Sequence, residues 1–67
     1  MEKTYTVTIA GKEPFTSHSR NSRRHLIERG GNDCKIYHKG FLISHAQRSG
    51  SGRVYNCYIV PGTKEED

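Results

Sequence analysis

Apolar and polar residues alternate strictly near the start of the chain, and this pattern gives the first structural element. In the segment KTYTVTIAG, Tyr5, Val7 and Ile9 alternate with three threonines. A period of two in β-branched and aromatic residues predicts a strand with one buried face and one exposed face. Residues 11–14 should then form a loop, because glycine begins it and the residue before Pro14 avoids helical geometry.

The segment TSHSRNSRRHLIER, residues 16–29, predicts one short helix. Thr16, Ser17 and Ser19 are each suitable N-cap residues. The double glycine at 30–31 predicts the end of the helix, since one glycine can adopt the left-handed conformation of a C-cap. We expect the helix to face a sheet with two small and two large side chains: Ser19, Ser22, Leu26 and Ile27.

The second half of the chain predicts three further strands. In NDCKIYHKGFLISHAQ, Cys34 and Ile36 share an inner face, HKG makes a tight turn with Gly40 at positive φ, and FLISHA is the returning strand. A helix over FLISHAQR is the main alternative to that strand. A flexible basic loop, RSGSGR, precedes the last strand, RVYNCYIV. Two alternating sets compete for the inner face of this strand, and we favour the first: Tyr55, Cys57 and Ile59 rather than Val54, Tyr58 and Val60.

These elements follow in the order β-α-β-β-β, which predicts an α+β fold: one basic helix packed on one face of a small, mostly antiparallel sheet. If the first two strands are parallel neighbours, the helix is their right-handed crossover. Residues 1–62 should form a single compact domain, and residues 63–67 a disordered acidic tail. So short a chain buries a core of only about a dozen side chains, and formation of a homodimer would add to its stability.

Basic residues outnumber acidic residues, and the excess is concentrated in the middle of the chain. The chain has 11 Lys and Arg against 7 Asp and Glu, a net charge of +4. Between Pro14 and Val60, eight basic residues stand against two acidic ones, so this segment carries +6. A basic body favours anionic partners, of which nucleic acid is the commonest. A solvated surface is the alternative explanation of so modest an excess.

The arginines of the predicted helix lie where a helix is least suited to them. Arg20, Arg23 and Arg24 fall in its first half, where the helix dipole disfavours cations, whereas the acidic Glu28 falls in the second half. The spacing also places Arg20, Arg24 and Glu28 in one row along the helix. This distribution of charge is the reverse of what helix stability favours, and it requires an explanation.

An anion docked at the start of the helix would explain these arginines. First-turn N–H groups and the arginine forks would converge on it, together with the hydroxyls of Ser17 and Ser19. The anion would be a phosphate or a cluster of carboxylates on a partner protein. The alternative is that the arginines pair with Glu13 or Asp33, or lie along the sheet through their aliphatic stems.

A second group of basic residues surrounds an aromatic residue on the predicted hairpin. Lys35 and Tyr37 share its outer face, Lys39 lies at its tip, and Arg48 and Arg53 bracket the loop that follows. Cations that contact phosphates beside a ring that stacks on a base suit a nucleic-acid strand. The alternative is that Tyr37 is an ordinary packing residue.

Other chemistries have weaker support in the sequence. Cys34, His38, His45 and Cys57 could form a Cys2His2 zinc site, but their spacing, C-x3-H-x6-H-x11-C, includes no C-x2-C pair. The histidines and arginines could also serve a small nuclease, but nothing in the sequence brings two histidines together. We therefore expect no metal, no cofactor and no catalysis.

The sequence also bears on the compartment. No stretch approaches the roughly 20 apolar residues that span a bilayer, and the first residues do not resemble a signal peptide. We therefore expect a cytoplasmic protein that has no membrane partner and keeps both cysteines as thiols.

The sequence thus predicts a small, basic, non-catalytic nucleic-acid-binding protein, with DNA and RNA both open. Phosphate contacts should dominate, so binding should depend strongly on salt and weakly on sequence. The predicted contact residues are Arg20, Arg23, Arg24, Lys35, Tyr37, Lys39, Arg48 and Arg53. The alternative is a small regulator or inhibitor, of the size that phages and mobile elements encode, bound to an acidic surface of a larger host protein. Apolar surface around Tyr37, Leu42 or Tyr58 would then anchor the contact.

Overall fold

The computed structural model describes residues 4–64 and places them in five strands and one helix. In chain order these are β1 (Tyr5–Ile9), β2 (Phe15–Ser17), α1 (Ser22–Arg29), β3 (Asp33–His38), β4 (Phe41–Arg48) and β5 (Val54–Asn56). Helix α1 packs on one face of a single antiparallel sheet. The predicted α+β class, with one helix on a small antiparallel sheet, is confirmed.

The strands lie side by side in the order β2-β1-β3-β4-β5, and every neighbouring pair is antiparallel. Strand β2 was not expected, because residues 11–14 were predicted as a loop and residues 16–29 as the helical segment. The suggested crossover between the first two strands is also wrong, because β1 is antiparallel to both of its neighbours. Strands β2 and β3 instead run in the same direction with β1 between them, and α1 crosses over from one to the other.

The helix-covered face of the sheet carries the core. Its buried apolar residues are Tyr5, Val7, Ile9, Leu26, Cys34, Ile36 and Ala46, with Phe15, Ile43 and Val54 packed against them. The predicted inner faces of β1 and β3 are therefore confirmed. Because successive side chains of a strand point to opposite faces, Lys35 and Tyr37 lie on the other, helix-free face. We call this second face the open face.

Helix α1 begins later than predicted, at Ser22, and its N-cap is Asn21 rather than Thr16, Ser17 or Ser19. The Asn21 side chain accepts a hydrogen bond from the Arg24 N–H at 3.2 Å, which is the usual N-cap contact. The predicted caps lie ahead of the helix because β2 occupies residues 15–17 and a turn separates the strand from the helix.

The buried side of α1 agrees with the prediction at Ser22 and Leu26 but differs at three positions: Ser19 precedes the helix, Ile27 is exposed, and the buried His25 was not predicted. Ser22, His25 and Leu26 are buried, whereas Ile27 is 64% exposed. At about 100° per residue, Leu26 lies about 40° to one side of Ser22 and His25 about 60° to the other, so the buried face is centred near Ser22. Ile27 lies about 140° from this centre and points outward. The Ser22 hydroxyl lies 2.8 Å from the Ser44 hydroxyl of β4, a contact that needs two small residues.

The end of α1 is tied to the sheet at two points. Gly31 has a φ of 105°, and a Cβ at this position would lie 2.7 Å from Cγ2 of Ile9. Arg48 donates hydrogen bonds to the carbonyls of Leu26, Gly31 and Gly52 at 2.9, 3.0 and 3.2 Å. The Leu26 carbonyl belongs to the last turn of α1, so Arg48 caps the helix C-terminus where a cation is favourable.

The second half of the chain largely follows the prediction. FLISHAQR is a strand, not a helix, and the hairpin turns at Lys39 and Gly40, both at positive φ. Strand β5 is shorter than predicted, and the prediction for its inner face is wrong within the strand, because Val54 contacts the core whereas Tyr55 is 43% exposed. Beyond the strand the predicted alternation holds: Cys57 and Ile59 are half-buried, whereas Tyr58 and Val60 are exposed. Its register with β4, which pairs Tyr55 with Gln47, decides this orientation.

The chain returns to β4 after leaving β5. The Leu42 N–H donates to the Thr63 carbonyl at 2.8 Å, and Phe41 forms an isolated β-bridge with Lys64. Thr63 and Lys64, which were predicted to belong to the tail, therefore lie against β4. The remaining acidic residues of that predicted tail, 65–67, lie outside the described residues.

Candidate nucleic-acid interface

A groove of about 290 Å³ lies on the open face of the sheet. Two lysines, two threonines and three larger apolar or aromatic side chains line it: Lys35, Lys64, Thr8, Thr63, Tyr37, Leu42 and Pro14. Within residues 4–64, no carboxylate lines this groove. It therefore combines positive charge, hydroxyl groups and an aromatic side chain in one concave surface.

Antiparallel register brings the central residues of the groove together. Thr8 of β1 lies opposite Lys35 of β3, and Tyr37 of β3 lies opposite Leu42 of β4. Ser44 faces the helix, so strict alternation would place Leu42 on the helix side as well. The register shift beside Tyr37 inserts one residue and turns Leu42 to the open face.

The C-terminal segment supplies one wall of the groove. The hydrogen bond between Leu42 and Thr63 holds this segment against β4, and the Lys64 ammonium lies 5.8 Å from the centre of the Phe41 ring. The two lysines that line the groove therefore lie on opposite sides of β4, and the Lys64 ammonium rests over Phe41, which is not a lining residue. Two cations on opposite sides of the groove suit a ligand with two anionic groups once the Lys64 side chain turns toward it.

A polar network crosses the open face beside the groove. His45 Nε2 lies 2.7 Å from Asp33 Oδ1, Gln47 donates to the same oxygen at 3.0 Å, and the Tyr55 hydroxyl donates to Gln47 at 3.2 Å. Burial alone would raise the pKa of Asp33, but the hydrogen bonds from His45 and Gln47 outweigh it and hold that pKa below its ordinary value. The network joins β3, β4 and β5. Asp33, the carboxylate nearest to Lys35 along β3, is therefore already hydrogen-bonded.

The predicted anion site at the helix start is largely occupied by local hydrogen bonds. The Ser17 hydroxyl accepts from the Ser19 N–H, the Ser19 hydroxyl accepts from the Asn21 N–H, and Asn21 itself caps the helix. The two serines therefore shape the turn that leads into α1. Their hydroxyl oxygens accept from the backbone, and the helix begins three residues after Ser19, so neither serine is the N-cap.

The three arginines of this region have different surroundings. Arg24 pairs with Glu28 at 2.8 Å, as their i, i+4 spacing allows, and the hydrogen bond lowers the pKa of Glu28. Arg20 and Arg23 are exposed and make no ion pair with any acidic residue in the described range. Since α1 covers the opposite face of the sheet, these two arginines lie on the other side of the molecule from the groove.

The remaining predicted contact residues are spread along the hairpin. Lys39 lies in the turn at one end of β3, whereas Arg48 and Arg53 lie at the other end. The guanidinium of Arg48 is bound to three backbone carbonyls, and Arg53 is exposed in the loop. Of the eight predicted residues, the structure brings only Lys35 and Tyr37 into the groove.

The cysteines and histidines are divided between the two faces. Cys34 is buried in the core and His38 packs on Tyr5 at 5.1 Å between ring centroids, whereas His45 lies on the open face. The four side chains of the suggested zinc site therefore cannot converge on one ion. Burial raises the pKa of the Cys34 thiol to about 11, and the adjacent Asp33 carboxylate adds to this effect.

His25 is the buried histidine of the helix. Its Nε2 donates to the Ser19 carbonyl at 3.1 Å, and its ring meets the edge of Phe15 at 5.7 Å. Its Nδ1 is buried and has no hydrogen-bond partner among the described residues. Arg29 covers the other side of this cluster, with its guanidinium carbon 4.1 Å from the Phe15 ring centre.

Reasoning from the sequence missed four of the seven groove residues, Thr8, Pro14, Thr63 and Lys64, and it named Leu42 only as an anchor for a protein partner. Thr8 carried a usable signal, because its place on the outer face of β1 was predicted. Pairing β1 directly with β3 would have set it beside Lys35. Pro14 depends on the unexpected strand β2, Leu42 on a bulge, and Thr63 and Lys64 on the returning C-terminal segment, and none of these has a pattern in the sequence.

Comparisons with known proteins give no relative for this chain: no family model, no curated protein and no solved structure matches it. Among residues 4–64, no helix has the length and apolar character to cross a membrane. The features that bear on function are therefore the geometry of the groove and the distribution of charge.

Proposed function

We propose that this protein binds nucleic acid, DNA or RNA, without catalysis, and that the open face is its principal contact surface. The observation that carries the proposal is the groove, in which Lys35 and Lys64 stand beside Tyr37 with no lining carboxylate in the described range. Lysines contact phosphates as point charges, and a neighbouring aromatic side chain contacts a base or sugar.

The principal contact surface for nucleic acid is then the open face of the sheet, rather than the helix that the sequence favoured. The groove and the exposed arginines of α1 face opposite directions across a molecule whose smaller dimensions are 23 and 21 Å. One strand of nucleic acid cannot lie on both surfaces without wrapping around the domain. Lys39, at the tip of the hairpin, extends the basic track from the groove, whereas Arg48 is engaged in structure.

Salt-dependent binding tests the proposal, with two double variants that each remove two positive charges. Anisotropy titrations of labelled oligonucleotides should give a log Kd that varies linearly with log salt. The Lys35→Ala/Lys64→Ala variant should reduce that slope by about 1.4 for single strands or about 1.8 for duplex. The Arg20→Ala/Arg23→Ala variant is the matched control and should change it less.

The outcomes of this experiment are separable. If neither DNA nor RNA binds at low salt, nucleic-acid binding is excluded. If the arginine variant loses binding and the lysine variant does not, the helix rather than the open face is the contact surface. Circular dichroism of both variants confirms that they are folded before the slopes are compared.

A second candidate function is binding to an acidic surface of a larger protein, and one observation favours it. Tyr58 and Val60, in the segment between β5 and Thr63, are 83% and 63% exposed, which is high for large apolar side chains. A pull-down from nuclease-treated extract, compared between wild type and Tyr58→Ser, tests it. A partner that is captured by both equally would not use this segment.

We further propose a cytoplasmic location. Both cysteines are free thiols in the structure, and Cys34 lies in the core of the domain. This usage of cysteine is typical of a reducing compartment. Fractionation of cells that express a tagged chain would test it, and recovery outside the cytoplasm would contradict it.

A further inference from the structure

We propose that the groove receives one unpaired nucleotide, so that the protein prefers single-stranded over duplex nucleic acid, with the base against Tyr37 and the adjacent phosphates at Lys35 and Lys64. This inference rests on the proposed function of the open face. It adds which form of nucleic acid is bound and which side chain meets the base.

The size and shape of the groove favour a single strand. The groove volume of about 290 Å³ lies just below the range of small-molecule sites, about 300–1,000 Å³. This is room for one nucleotide and far too little for a double helix. The major groove of a duplex is read by a protruding helix or two-stranded ribbon. The open face is a concave surface at this point, and the helix lies on the opposite side of the sheet.

The lining also matches the parts of a nucleotide. Tyr37, Leu42 and Pro14 provide the aromatic and apolar surface that a planar base needs. Thr8 and Thr63 add hydroxyl groups that both donate and accept hydrogen bonds, as the edge of an unpaired base requires. In a duplex the Watson–Crick edges are already paired and the base faces are stacked, so neither would be available to the groove.

The lining residues are held in place before any ligand binds. Lys35 and Tyr37 lie on β3, the central strand, which is paired on both sides. Thr63 is hydrogen-bonded to β4, so the wall that carries Lys64 is attached to the same sheet. A preformed groove reduces the cost of ordering side chains on binding. Asp33 is turned to His45 and Gln47, so its carboxylate is engaged beside the phosphate path.

A comparison of single strands with their own duplexes tests the inference. A 12-nucleotide DNA, the RNA of the same sequence and the corresponding duplexes are titrated at one salt concentration. We expect at least one of the two single strands to bind about tenfold more tightly than its duplex. Tyr37→Ser should weaken binding of that single strand by about 5- to 150-fold and leave duplex binding unchanged. Tyr58→Ser, which removes a more exposed tyrosine outside the groove, should change neither.

Photocrosslinking gives a second measurement that does not depend on how a variant folds. An oligonucleotide that carries one 5-iodouracil is irradiated with wild-type protein, and the complex is digested with trypsin. We expect the adduct on the peptide of residues 36–39, in which Tyr37 is the only tyrosine. An adduct that fragmentation of the 54–64 peptide assigns to Tyr55 or Tyr58, neither of which lines the groove, would place the base outside the groove and contradict the inference.

The outcomes distinguish this inference from the proposed function. Equal affinity for single strand and duplex, with a salt slope that depends on Lys35 and Lys64, would overturn the inference and leave nucleic-acid binding in place. An equal loss for Tyr37→Ser and Tyr58→Ser would also overturn it. Absence of binding to every oligonucleotide would overturn both.

Discussion

The two faces of the sheet use the same strands for opposite purposes. On the covered face, Val7 and Ile36 are fully buried against the rest of the core, whereas their neighbours Thr8 and Lys35 stay partly exposed on the open face. An antiparallel sheet is stable with one face in water, so the open face needs no second layer. The difference teaches that the odd or even position of a residue along a strand decides whether it packs in the core or lies on the face to which we assign binding. Substitutions that differ by one position should therefore have different consequences.

The largest effect is expected on the covered face. Leu26 is the one large apolar residue of α1 that is fully buried, and Leu26→Ala should lower the free energy of unfolding by about 2–5 kcal/mol because it leaves a cavity beneath the helix. Ile27→Ala, one residue away and mostly exposed, should change it by less than about 0.5 kcal/mol. Urea denaturation followed by circular dichroism measures both. Similar losses for the two variants would contradict the assignment of the buried helix face.

The next effect concerns the contact between the end of the helix and β1. Gly31→Ala should destabilise the fold by about 2–3 kcal/mol, because it combines an unfavourable positive φ with an overlap against Ile9. Gly11 also has a positive φ, but nothing lies within 4 Å of its Cβ position. Gly11→Ala should therefore cost only the backbone strain, about 1 kcal/mol. If the two losses are equal, the close approach at Gly31 does not matter for stability.

Substitution of Arg48 tests whether a basic residue stabilises the fold or contacts nucleic acid. Arg48→Met keeps the aliphatic stem but removes the hydrogen bonds to three carbonyls, and it should destabilise the fold by about 1–3 kcal/mol. Its effect on the salt dependence of nucleic-acid binding should be small. Arg53→Met, in the exposed loop, should leave stability within about 0.5 kcal/mol of wild type. An Arg48 variant that is fully stable but binds nucleic acid poorly would reverse this assignment.

The covered face could be predicted from the sequence because its information is local. Strict alternation identified the buried residues of β1 and β3, and the glycine of the HKG turn located the hairpin. The helix start was harder, since five residues between Thr16 and Ser22 can cap a helix. The choice among them depends on β2, a three-residue strand that exists because its backbone pairs with β1. No period can be recognised in so short a strand.

The open face could be predicted only in part because its geometry is not local. Lys35 and Tyr37 were identified, since they belong to one strand and alternate with its core residues. Lys64 joins them through a bridge between distant parts of the chain, and Leu42 does so through a bulge. The excess of arginine was correctly noticed, but net charge does not indicate which face a cation occupies. Arg48 shows the consequence: a basic residue in a basic loop is used to cap a helix.

The smallest effect is expected on the open face, at Asp33. Its pKa is below the ordinary value because His45 and Gln47 donate to it, so its contribution to stability is present above the unfolded pKa of about 4 and is lost as pH falls through the lower folded pKa. Asp33→Asn should reduce the free energy of unfolding by about 1 kcal/mol at pH 7. This loss is smaller than that expected for a fully buried hydrogen bond to a charged group, because Asp33 is partly exposed.

The difference between Asp33→Asn and wild type should therefore shrink below about pH 4, which urea denaturation at a series of pH values measures. The His45→Gln variant should lose less stability than wild type when the pH is lowered, because it removes one hydrogen-bond donor to Asp33 but keeps the carboxylate. A difference that stays constant down to pH 2 would mean that the carboxylate is not stabilised by the network. The open face would then be held together only by its backbone, and the contrast with the covered face would be sharper than the structure suggests.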